Sequence, residues 1–211
     1  MKKLLSIILS GFMLLTLGAC RNTADNTDKA GQPTAPAPTA PQAGAASSDT
    51  AGGKTLVAYF SYSGNTKAIA EKIQAKTNAD IFEIDTTYEY PEEYNAVIEQ
   101  AQQEQRETAR PELSAAVENM ADYDTVFIGY PNWWGDMPMV VYSFLDEYDL
   151  SGKTIIPFCT HGGSGLSGTV GSIKNEEPDA DVKDGLAIRD NALDSSDSAI
   201  ESWLSDNGFT M

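Results

Sequence analysis

Short apolar runs alternating with amphipathic ones predict an α/β fold, an open parallel sheet with helices on both faces. Three observations carry this. Runs rich in β-branched and aromatic residues, each of strand length, recur from Thr55 to Ile188. Between them, apolar residues return at helical spacing. The loops after the first, third and fourth runs are chemically unusual, and open parallel sheets bind ligands beyond the carboxyl ends of their strands.

Thr55-Leu56-Val57-Ala58-Tyr59-Phe60 reads as a buried strand. Ala68, Ile69, Ala70 and Ile73, interleaved with Lys67, Glu71, Lys72 and Gln74, give a helix after it. Ile81-Phe82-Glu83-Ile84 is a second strand. Tyr94, Val97, Ile98 and Ala101 then fall on one helical face, while Gln100, Gln102, Gln103 and Glu104 populate a face read as solvated. Thr125 to Gly129 is a third strand, with a helix from Pro138 to Leu145 behind it. Thr154 to Cys159 is a fourth, and Pro157 predicts an irregularity because it removes a ladder donor. Gly185 to Ile188 is a fifth, closed by a helix around Ser198 to Leu204.

The loop after the first strand is Ser61-Tyr62-Ser63-Gly64-Asn65-Thr66. Hydroxyls, one Gly and a following helix can aim several N–H groups at one phosphate, with the helix dipole assisting. It lacks both the Gly-x4-Gly-Lys-Ser/Thr string and the Gly-x-Gly-x-x-Gly fingerprint. After the third strand come Pro131-Asn132-Trp133-Trp134-Gly135, two adjacent indoles that need a flat apolar partner. After the fourth come Thr160-His161-Gly162-Gly163-Ser164-Gly165, where bare backbone can approach a ligand closely. Together they describe a site for a flat, polar-edged, singly phosphorylated molecule.

These loops resemble those of flavodoxin-like proteins, in particular a bacterial branch reading close to Gly-Tyr-Pro-x-Trp-Trp and Phe-x-Thr-His-Gly-Gly-Ser-Gly. The resemblance covers residues 54–211. It implies a flavodoxin-like three-layer sandwich, a five-stranded parallel sheet in the order 2-1-3-4-5, and FMN as cofactor. Ser61, Ser63, Gly64, Asn65 and Thr66 would hold the phosphate, with Tyr62 contributing its backbone N–H. Pro131, Asn132, Trp133, Trp134 and Gly135 would line one side of the isoalloxazine. Thr160, His161, Gly162, Gly163, Ser164 and Gly165 would line its pyrimidine edge. His161 has two readings, a donor to the flavin or a brace for the glycine loop. Cys159 reads as a packing residue, and no side chain is assigned a catalytic or metal-binding role. Three functions follow: an electron carrier, an FMN-dependent NAD(P)H:quinone-type oxidoreductase, or a non-redox binding module. The implied partners are redox donor and acceptor proteins or a small-molecule acceptor.

The ends point to an address. Lys2, Lys3 and an apolar stretch from Leu4 to Leu17 have the pattern of a secretory signal over residues 1–19. Leu17-Gly18-Ala19-Cys20 resembles the bacterial lipobox, which makes Cys20 the lipidated residue of an extracytoplasmic, membrane-anchored lipoprotein of the bacterial cell envelope. Residues 20–53, rich in Ala, Thr and Pro, read as a disordered tether spanning roughly 30 Å as a flexible coil. The net charge of −17 excludes nucleic acid and an electrostatic membrane surface, leaving the lipid as the membrane contact.

Overall fold

A computed structural model describes residues 53–210. The signal, Cys20 and nearly all of the tether lie outside the described residues. The domain alternates β1 (Lys54–Tyr59), α1 (Asn65–Thr77), β2 (Asp80–Glu83), α2 (Tyr94–Glu107), β3 (Tyr123–Pro131), α3 (Met139–Glu147), β4 (Thr154–His161), α4 (Thr169–Glu176), β5 (Asp181–Val182), β6 (Leu186–Arg189) and α5 (Asp197–Asp206). All strand pairs are parallel, in the order β2-β1-β3-β4-β5, with β6 also on β4. The fold and strand order are those expected, with the fifth position filled by two pieces.

Strand alternation builds the layers. Leu56, Ala58, Val126, Ile128, Ile155 and Cys159 pack with Val140, Val141, Phe144 and Ile173 of α3 and α4. Val57, Tyr59, Phe127, Ile156 and Phe158 point the other way, onto Ile69, Ala70 and Ile73 of α1 and Ile200, Trp203 and Leu204 of α5. Gly129 is required by this packing, because a Cβ there would stand 2.1 Å from the Phe158 ring.

Pro157 has the predicted effect, displaced by one strand. β4 keeps its register with β3 straight through Ile128↔Pro157. On its other side, β5 pairs only as far as Ile155 and β6 resumes at Phe158. Lys183 N–H donates to the Ile155 carbonyl at 2.9 Å, and alternation puts the Pro157 nitrogen on that same side. The break therefore falls where the donor is missing. The helix α4 was not predicted; only Thr169 and Ile173 of its eight residues are buried, and Gly171 lies mid-helix.

Candidate functional site

β1, β3 and β4 deliver the three unusual loops to one rim, where they touch. The Thr66 and Thr160 hydroxyls meet at 2.8 Å, both residues buried. Asn132 N–H donates to the Thr160 carbonyl at 2.8 Å, and Asn132 Nδ2 donates to Gly165 O at 2.9 Å and Ser167 Oγ at 3.1 Å. The rings of Tyr62 and Trp133 pack edge to face at 5.8 Å. Every loop assigned from sequence is thus bonded to another.

The first loop turns at Gly64, whose φ of +84° is left-handed and whose carbonyl starts α1 by accepting from Ala68. Ser61 Oγ accepts from Lys67 N–H at 3.1 Å, so this hydroxyl braces the turn from outside. Among the described residues, no protein acceptor meets the N–H groups of Ser63, Gly64, Asn65 or Thr66. Those donors sit at the positive end of α1 and suit an anion. The Lys67 ammonium is turned to Glu83 at 3.3 Å, leaving backbone and hydroxyls to form the cradle.

The second loop is a tight turn. Trp133 and Asp136 exchange both backbone hydrogen bonds, at 2.9 and 3.0 Å, around Trp134 (φ +55°) and Gly135 (φ +82°). Positive φ at both central residues marks a type I′ turn. It is a strained conformation for a Trp, worth roughly 1–3 kcal/mol. Gly135 N–H is held by Asn132 Oδ1 at 3.0 Å, and Tyr142 OH donates to the Asp136 carboxylate at 2.9 Å.

The two indoles divide their work. Trp133 packs edge-on to Phe60, Tyr62 and Tyr90, with centroids at 5.5, 5.8 and 5.4 Å. Trp134 is half exposed, and its Nε1 donates to Ile98 O at 3.3 Å. Together with Tyr62, Asn132 and α2 residues Tyr94, Val97, Ile98 and Ala101, they line a largely apolar groove of about 390 Å³. A larger cavity of about 660 Å³, between residues 110–116 and α3, shares no lining residue with it.

At the third loop, Gly165 takes φ +63°, and its carbonyl accepts from Asn132 and from the Cys159 thiol at 3.4 Å. Cys159 is fully buried, as expected, and burial pushes its thiol up to about 12. The His161 Nδ1 is buried without a hydrogen-bond partner, so the ring does not brace the glycine loop through that atom. Gly162 lies against Asp190, the residue after β6, and Gly163 against Arg189, its last residue.

Two features were missed from sequence. The apolar face of α2 was read as packing; it walls the groove, and Tyr94 is 73% exposed. Glu104, read as solvated, is buried, accepting from Tyr88 OH at 2.7 Å, Tyr90 OH at 2.9 Å and Gln100 Nε2 at 2.9 Å. Burial, with Glu104 nearby, pushes the Tyr88 phenol up to about 12 and holds Tyr90 well above the usual tyrosine range. Tyr88 and Tyr90 on the loop before α2 were the available signal.

A family model described as Flavodoxin matches residues 54–207. A candidate flavoprotein from Bacteroides eggerthii is 34% identical, with a TM-score of 0.66 over 73% of this chain and 97% of its own. Another from Bacteroides uniformis is 29% identical, with the same TM-score of 0.66, covering 73% of this chain and 99% of its own. A flavoprotein from Lactobacillus acidophilus, solved in complex with FMN, is 25% identical with a TM-score of 0.58, over 72% and 98% of the two chains. No curated protein matches the chain.

Proposed function

The chain belongs to the flavodoxin family, and on that premise we propose that it binds FMN and carries electrons outside the cytoplasmic membrane, tethered through Cys20. The observation that carries this reading is the row of unpartnered N–H groups from Ser63 to Thr66, opening beside an aromatic groove and a bare glycine loop. That donor set fits FMN: a phosphate for the cradle, a flat ring for the indoles and a polar edge for His161 and the glycines.

Bound FMN supplies reversible transfer of one or two electrons. The protein's part is to hold and to exclude. The N–H groups of residues 63–66 and the dipole of α1 neutralise a phosphate without a cation. Tyr62, Trp133 and Trp134 give the groove its apolar wall. In the Trp-Trp turn, the Trp133 amide and the Gly135 N–H are already committed. The Trp134 N–H and the Trp134 and Gly135 carbonyls are the backbone groups left to meet the ring edge. The unpartnered His161 Nδ1 supports a role toward the ligand over one as a loop brace.

An FMN-dependent NAD(P)H:quinone-type oxidoreductase is the second reading. The open face of the groove, where Tyr94 and Trp134 are exposed, favours it by leaving room for another planar molecule. One experiment separates the readings. The purified chain is mixed with FMN, its visible spectrum recorded, and NADH or NADPH added anaerobically. A bound-flavin spectrum that persists supports the carrier, and rapid bleaching supports the reductase. A chain that stays colourless overturns both.

A further inference from the structure

The end of β6 and the residue after it have no role assigned from sequence, yet they stand against the third loop. β6 pairs with the end of β4, which sets Arg189 beside His161 in the register. Arg189 Nη2 comes within 3.7 Å of where a Cβ on Gly163 would be, and the Asp190 carboxylate lies equally close, at 3.7 Å, to that position on Gly162. Among the described residues, Arg189 makes no ion pair.

Most other cations are placed elsewhere. Lys76, Arg106 and Lys174 occupy the last turns of α1, α2 and α4, which a parallel α/β fold turns toward the amino ends of the strands. Lys54 and Lys153 sit at or just before the amino ends of β1 and β4. Lys67 shares the rim but is paired with Glu83. In a chain of net charge −17, Arg189 is therefore the uncommitted cation at the rim among the described residues.

The geometry points to Arg189 as the group that meets the negative charge gathering at the glycine loop when bound FMN is reduced. This inference rests on the FMN reading. Electrons arrive from the reductant, and the guanidinium stays protonated throughout, so its contribution is a fixed positive charge. The His161 Nδ1 in the same register row is a second polar group without a protein partner there. Asp190 opposes Arg189 across the same loop, so the two side chains set the local field in opposite directions.

The test measures the midpoint potential of FMN bound to the purified chain by spectroelectrochemistry at low salt. The variants are Arg189→Gln, Arg189→Glu, Asp190→Asn and Lys174→Gln, the last removing an exposed cation from the far end of α4. Arg189→Gln is expected to shift the potential negative, equivalent to roughly tenfold weaker relative binding of the reduced cofactor, about 30 mV for a two-electron couple. Arg189→Glu shifts it further, Asp190→Asn shifts it positive, and Lys174→Gln leaves it in place. Added salt shrinks the differences. A yellow parent whose potential ignores Arg189, or responds equally to Lys174→Gln, overturns this inference alone. A parent that takes up no FMN overturns the proposed function and this inference together.

Discussion

Thr66 serves two loops: its hydroxyl is shared with Thr160, and its N–H stands unpartnered in the first turn of α1. Removing that hydroxyl loosens both the cradle and its link to β4. Thr66→Ala and Ser63→Ala are each expected to weaken FMN binding by about 1–3 kcal/mol in isothermal titration; unaltered affinity in both variants would remove the phosphate assignment. Cys159 carries a different expectation. Burial without a compensating cation keeps its sulfur protonated at neutral pH, so the native chain resists alkylation there at pH 8. Iodoacetamide followed by peptide mass spectrometry should find Cys159 modified only after denaturation. A native Cys159 that labels as fast as a free thiol would contradict the packing described for it.

At the level of elements, α2 does more than cover the sheet. One turn beyond the groove-lining Ala101, its Glu104 carboxylate ties Tyr88 and Tyr90, and Tyr90 in turn buttresses Trp133. Glu104→Ala leaves the Tyr90 hydroxyl without its acceptor in a part-buried position and is expected to cost about 1–2 kcal/mol in urea unfolding, with Glu104→Gln recovering part of it. The end of α4 carries an opposite strain. Glu177 is half-buried, and that burial, followed by the charges of Asp149, Asp146 and Glu176, pushes its carboxyl up to about 7. The folded chain holds this proton more tightly than the unfolded chain, so the associated stability is full below the ordinary glutamate range and is lost as pH rises through 7. Glu177→Gln should therefore melt about 2–4 °C higher than the parent at pH 8 and the same as the parent at pH 4. Solvent screening holds the gain to about 1 kcal/mol.

For the whole molecule, the acidic chain sets a field that resists added negative charge. FMN bound to it is expected to have a lower midpoint potential than free FMN, rising as salt screens the surface. Potentials at or above those of the free cofactor would contradict this. Strand order and rim loops were legible because they rest on local patterns: β-branched runs, helical spacing and clustered Gly and Trp. What was not legible depends on partners distant in the chain. Glu104 looks solvated within its own helix, and only Tyr88, 16 residues away, and Tyr90, 14 away, make it buried. The groove wall on α2 and the field from Arg189 exist only once strands pair. Pro157 was flagged correctly, yet its effect moved to the neighbouring strand because the missing donor faces that way.

That displaced break has a consequence for self-association. An open sheet has two margins, and a long unpaired margin invites a strand from a second molecule to add to it. Here one margin is cut into β5 and β6, of two and four residues. The other, β2, is four residues long and bears the exposed carboxylates of Asp80 and Glu83. Neither offers a continuous, uncharged template, so crowding these chains together should not drive them into cross-strand aggregates.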